Sequence, residues 1–80
     1  MPVLVMKLPI YIIAHQIDQS ATGREIRRMR RAKEMTQEEL GEAIGCLKMK
    51  MCRLEKGIGV WTHELVGKAV EAINKAKTKV

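Results

Sequence analysis

Apolar positions change their spacing once along the chain. Up to about residue 20 they come in runs, with the β-branched Val3, Val5, Ile10, Ile12 and Ile13 joined by Tyr11 and interrupted by Pro9. β-Branched and aromatic residues fit a pleated surface and proline breaks helices, so this stretch reads as an extended arm, with two short strands about Pro9 as one arrangement. Both of its faces are apolar. It must therefore pack on the rest of the chain, pair with a copy of itself, or add to a partner's sheet. From Thr22 onward the spacing is helical. Ile26, Met29 and Met35, with Ala32 between, mark the stripe of a helix over about Gly23 to Glu34, with Ser20 or Thr22 as N-cap and the arginines at 24, 27, 28, 30 and 31 on its remaining surface. Thr36 followed by Glu39 forms a capping box, Leu40, Ala43 and Ile44 give the next helix its inner side, and Gly45 ends it. A third helix runs from about Lys48 to Leu54 or Glu55, with Met51 and Leu54 inward. Thr62 caps a fourth running to about Asn74, with Leu65, Val66, Ala69, Val70 and Ile73 facing the core.

The predicted fold is all-α, a compact four- to five-helix bundle preceded by the extended arm. Residues 1–20 form the arm, 21–76 the domain and 77–80 a frayed basic tail. Eighty residues suffice for one small domain. The aromatic fraction of 2% excludes a base-stacking RNA module built on aromatic platforms. The apolar run at residues 2–14 is shorter than the roughly twenty residues that span a bilayer, and its one charge, Lys7, sits mid-run rather than at the start as in a signal peptide. Cys46 and Cys52 stand six residues apart, which on one helix makes poor disulfide geometry and fits a reduced, cytoplasmic compartment.

Charge sharpens the picture. The net charge is +6, and it falls in blocks. Residues 24–33 carry six basic groups against Glu25 alone, residues 34–47 hold only the acidic Glu34, Glu38, Glu39 and Glu42, and residues 48–57 return to Lys48, Lys50, Arg53 and Lys56 against Glu55. A small basic domain polarised in this way has anionic partners to consider, nucleic acid or an anionic membrane surface.

The informative stretch is Gln37 to Lys56. Two helices crossing steeply through a short turn need a small residue where they pass, a glycine at the turn and large apolar residues in the angle between them. Gly41, Gly45 and the set Leu40, Ile44, Met51 and Leu54 meet those needs. Together they specify a helix-turn-helix. Residues 24–73 resemble the lambda-repressor/Cro-type (XRE-like) helix-turn-helix family, in the text REIRRMRRAKEMTQEEL, GEAIG, MCRLEKG and the T-x-x-L-x-x-K-x-x-EAI of the last helix. The resemblance implies a domain that binds double-stranded operators as a homodimer, with the second helix of the pair in the major groove. Three positions depart from the pattern. Leu47 stands where Ser or Thr is usual, Glu34 where Gly is frequent, and Trp61 where Pro is frequent.

With Met51 and Leu54 inward, Lys48, Met49, Lys50 and Arg53 fall on the outer side of the third helix and are the candidate base contacts. Lysine and arginine donate to guanine O6 and N7, and a methionine can pack on a thymine methyl. The plain alternative is solvated charges on a short helix. Gln37, at a helix N-terminus, is expected to touch a phosphate or brace the third helix. Arg24, Arg27, Arg28 and Lys56 are further phosphate candidates, and the four glutamates of the acidic block should face away from DNA or pair with arginines.

Other chemistries find little. His15, His63, Cys46 and Cys52 lack zinc-ligand spacing, and neither a phosphate loop nor a nucleophile–base pair stands out, so neither enzyme nor cofactor is expected. Membrane binding would need the apolar residues Ile26 and Met29, which the bundle uses. The predicted function is a sequence-specific transcriptional regulator, repressor or Cro-like, acting in the cytoplasm at the nucleoid. The competing reading keeps the fold and makes the protein an antitoxin or adaptor that binds a partner protein through residues 3–14.

Overall fold

The computed structural model describes residues 12–13 and 16–76. The fold is all-α, with four helices among the described residues: α1 (Gln19–Ala32), α2 (Gln37–Ile44), α3 (Lys48–Glu55) and α4 (His63–Lys75). Before them a two-residue antiparallel pair joins β1 (Ile12–Ile13) to β2 (Gln16–Ile17), with Ile12 opposite Ile17 and Ile13 opposite Gln16. The rest of the arm, with the bend about Pro9, and the tail at 77–80 lie outside the described residues.

The first helix starts earlier than its apolar stripe indicated. Asp18, not Ser20 or Thr22, is the N-cap, its carboxylate accepting the Ala21 N–H at 3.1 Å. Aspartate is as good a cap as serine, and it frees Thr22 to sit fully buried inside the helix. α1 thus begins at Gln19, within the stretch assigned to the arm from the sequence. The remaining helix starts lie where the sequence put them. Thr36 and Glu39 form the reciprocal capping box, Thr62 caps α4 by accepting from Leu65 N–H, and α3 begins at Leu47 with no side-chain cap.

Three of the helices stop by one device. At the end of α2, Cys46 N–H reaches back to the Gly41 carbonyl and Gly45 N–H to that of Glu42. At the end of α3 the same pair runs from Ile58 to Arg53 and from Gly57 to Leu54, and at the end of α1 from Met35 to Arg30 and from Glu34 to Arg31. This double closure needs one left-handed residue. Gly45 (φ 79°) and Gly57 (φ 81°) adopt that region freely, whereas α1 uses Glu34 at φ 56°. Glu34, a departure from the family pattern, is therefore the one non-glycine among the described residues held in a conformation that disfavours a Cβ.

The core holds Ile26, Leu40, Met51, Leu54, Trp61, Val66, Ala69, Val70 and Ile73, with Met29, Met35, Ile44, Cys46 and Leu65 half-buried against it. Two expected inward residues, Ala32 and Ala43, are exposed instead. Each lies at the rim of its helix's stripe, and an alanine has too little side chain to reach the interior from there. Trp61, unrecognised as core in the sequence, is the largest fully buried side chain. Its indole N–H donates to the Leu54 carbonyl at 2.9 Å, and its backbone N–H and C=O are both held by the side chain of Gln19. One residue thereby ties the starts of α1 and α4 to the end of α3. Truncating a buried Trp to Ala costs about 3–5 kcal/mol.

Candidate nucleic-acid interface

The site is built on the turn between α2 and α3. Gly41 lies where the chain folds back, and a Cβ there would sit 2.6 Å from the Cys46 carbonyl oxygen and 3.2 Å from the Met51 side chain. Only hydrogen fits without displacing the turn. Gly45 then reverses the chain, and three residues, Gly45 to Leu47, separate the two helices.

From that turn α3 presents two unlike faces. Met51, Leu54 and Glu55 are buried. Lys48, Met49, Lys50 and Arg53 are all exposed, as expected, and Lys56 follows them at the exposed C-cap. Among the described residues none of these cations is drawn into an ion pair.

The inner face of α3 is fastened by a polar network that the sequence reading missed. Arg30 is buried rather than on the helix surface. It grips Glu55 with two hydrogen bonds, Nε to Oε2 at 2.7 Å and Nη2 to Oε1 at 3.0 Å, and its Nη1 donates to the Met35 carbonyl at 2.6 Å. Gln37 Nε2 adds a third bond to the same carboxylate, reaching Oε1 at 3.1 Å. A buried bidentate pair with its lone pairs further occupied is the geometry in which mutual attraction offsets desolvation. α1, α2 and α3 therefore meet at one carboxylate. The signal was present in spacing. Arg30 is four residues after Ile26, and Glu55 four after Met51, so opposite charges stood on two buried stripes.

Gln37 thus does the bracing half of its expected role, while the half-buried side chain stays at the N-terminus of α2. Arg24, Arg27 and Arg28 are exposed on α1. Arg28 differs from the other two because its guanidinium holds Glu25, with Nε 3.0 Å from Oε1. That hydrogen bond is the main cause that lowers the Glu25 carboxyl below its ordinary value; slight burial opposes it, and the Arg28 charge adds to it. Glu34, Glu38 and Glu42 of the acidic block are exposed and Glu39 serves the capping box. The arginine partners are instead Glu25 and Glu55.

Beside the outer face of α3 lies an open cleft of about 610 Å³, flanked by Leu47, Met49, Lys50, Arg53 and Ile58. Three of these are large apolar side chains left in water: Leu47 is 80% exposed, Met49 68% and Ile58 71%. The turn after α3 brings Ile58 there, because its N–H bonds back to the Arg53 carbonyl at 3.0 Å.

His63 opens α4 as an exposed first residue, and Cys46 and Cys52 are free thiols. Among the described residues no cluster of three or more metal-ligating side chains occurs, and no helix is long and apolar enough to cross a membrane. Comparison with family models, curated proteins and solved structures finds no match.

Proposed function

We propose that the protein is a sequence-specific double-stranded DNA-binding transcriptional regulator, repressor or Cro-like, that reads the major groove with α3. The observation that carries this reading is the division of α3. Its inner face is locked to α1 and α2 through Arg30, Glu55 and Gln37, while Lys48, Met49, Lys50 and Arg53 project exposed from the other, their cations in no ion pair among the described residues. A rod held rigidly by one side and lined on the other with donors suits a groove of base edges and phosphates. Arg24, Arg27, Lys56 and the N-terminus of α2 beside Gln37 supply the phosphate contacts, with Arg28 contributing at the expense of Glu25. The resemblance of residues 24–73 to lambda-repressor/Cro-type domains agrees, and so does the basic net charge of +6. In this reading the protein is a cytoplasmic, nucleoid-associated homodimer with no cofactor.

Selection of bound duplexes from a random pool tests the proposal. An enriched inverted repeat, bound with an affinity that falls steeply as salt rises, is the expected result. A pool that stays unenriched rejects it. The antitoxin or adaptor reading places its contact on residues 3–14, of which Ile12, 54% exposed on the small β pair, is the described apolar side chain. Sizing the purified chain before and after deletion of residues 1–14 separates the two: a dimer lost with the deletion favours the self-paired regulator, whereas a chain that is monomeric before it favours a missing protein partner.

A further inference from the structure

The cleft beside α3 carries an inference that rests on the DNA-binding reading and names what that surface recognises. Leu47, Met49 and Ile58 leave most of their apolar area in water. Covering apolar surface is favourable, so the surface is poorly suited to staying bare. Leu47 is the more telling because it occupies the N-cap of α3 and makes no capping bond there. A hydroxyl or carboxamide at that position would accept a free first-turn N–H and stabilise the helix. The chain thus carries an apolar side chain at a position where a polar one would serve the fold better.

The covering surface must match both kinds of group in the cleft. Lys50 and Arg53 line it together with the apolar three. Its occupant therefore carries negative charge and hydrogen-bond acceptors, with an apolar group set among them. On the floor of the major groove the C5-methyl of thymine is the apolar group, and it lies among base-edge acceptors and between rows of phosphates. A leucine side chain has no donor or acceptor and a methionine thioether only a weak acceptor, so what Leu47 and Met49 distinguish is chiefly whether that methyl is present.

We infer that Leu47, Met49 and Ile58 form a receptor for a thymine methyl, with Lys50 and Arg53 donating to acceptors of an adjoining base. The half-site then contains a thymine beside a base such as guanine.

The test uses the full chain and a duplex selected from a random pool. Each thymine is replaced in turn by deoxyuridine, which removes the methyl and leaves every hydrogen-bonding group in place. The expected result is a loss of about fourfold in affinity at one thymine of each half-site, the value of one covered methyl, and little change elsewhere. In the variants Leu47→Ser and Met49→Ala the thymine-to-uracil ratio at that position falls towards one. Leu47→Ser restores a helix cap, so its melting temperature is expected to rise, and loss of discrimination in it is not loss of fold. A duplex that binds tightly and is indifferent to uracil throughout, or a consensus without thymine, overturns the inference and leaves the DNA-binding reading standing. A pool with no enrichment, or Leu47- and Met49-dependent binding to phosphatidylserine vesicles in its place, overturns both.

Discussion

The two faces of α3 obey opposite rules. On the inner face every group has a partner: Met51 and Leu54 are sealed in the core, and both oxygens of Glu55 are occupied by Arg30 and Gln37. On the outer face the helix begins uncapped, three cations stand free of the described ion pairs and Met49 remains in water. Stability considerations account for the first face completely and run against the second. The lesson is that the inner face sets where the helix lies, and the outer face adds nothing to the fold that would fix its side chains.

The comparison is most directly broken at Arg30. Replacing it by Met leaves Glu55 as an uncompensated buried charge, and unfolding free energy should fall by about 3–5 kcal/mol in denaturant titrations. Adding Glu55→Met should recover much of that loss, because an apolar pair of similar volume avoids the desolvation. A single variant as stable as the parent would show that the network is not what fixes α3. On the outer face the prediction reverses. Arg53→Ala should change stability by less than about 0.5 kcal/mol, yet weaken cognate duplex binding by about 1–3 kcal/mol and relax the base preference beneath it. Equal weakening on random DNA would reduce Arg53 to a phosphate contact.

Smaller effects sharpen the same contrast. Leu47→Ser should stabilise the fold by about 1 kcal/mol through a new cap on α3. Glu34→Gly should add about 0.5–1 kcal/mol, since relief of the left-handed penalty exceeds the extra freedom glycine gives the unfolded chain. Differential scanning calorimetry reads both, a gain of 1 kcal/mol raising the melting temperature by about 4–8 °C in a domain of this size. A fall in melting temperature for Glu34→Gly would mean that the glutamate side chain makes a contact worth more than the strain. The least effect is expected from Glu25. Its carboxyl is lowered in the folded state by the Arg28 hydrogen bond, so its contribution is present above the unfolded carboxylate range and lost as pH falls through the lowered folded value. Because Arg28 is 68% exposed, no more than about 0.5 kcal/mol is at stake. Acid titration of Glu25→Gln against the parent, at low and high salt, should show the difference vanish at low pH and shrink with salt.

Much of this architecture was legible in the chain. Caps and stops are local, and Thr36, Gly45 and Thr62 declared themselves because a hydroxyl or a missing Cβ does its work within a few residues. The inward set Leu40, Met51 and Leu54 followed from spacing alone. What escaped was non-local. Arg30 and Glu55 lie 25 residues apart, and the habit of assigning charge to the surface hid them. Trp61 and Gln19 meet across 42 residues, and no periodicity reports such a contact. Asp18 precedes the first residue of the apolar stripe, Ile26, by about two turns, so periodicity does not point to it. Spacing puts Lys48, Met49, Lys50 and Arg53 on the outer side of α3, where they are exposed, but it gives no sign of the apolar neighbour Ile58, since only the folded turn after α3 brings it alongside.

The fastening of α3 by its own terminal carboxylate has an evolutionary corollary. Because Glu55 belongs to the stem and the four projecting side chains do not, those four can be exchanged as a set without refounding the protein beneath them. In the proposed reading a change of target needs only a few outer letters rewritten, whereas Arg30, Gln37 and Glu55 have to be kept together for the stem to hold.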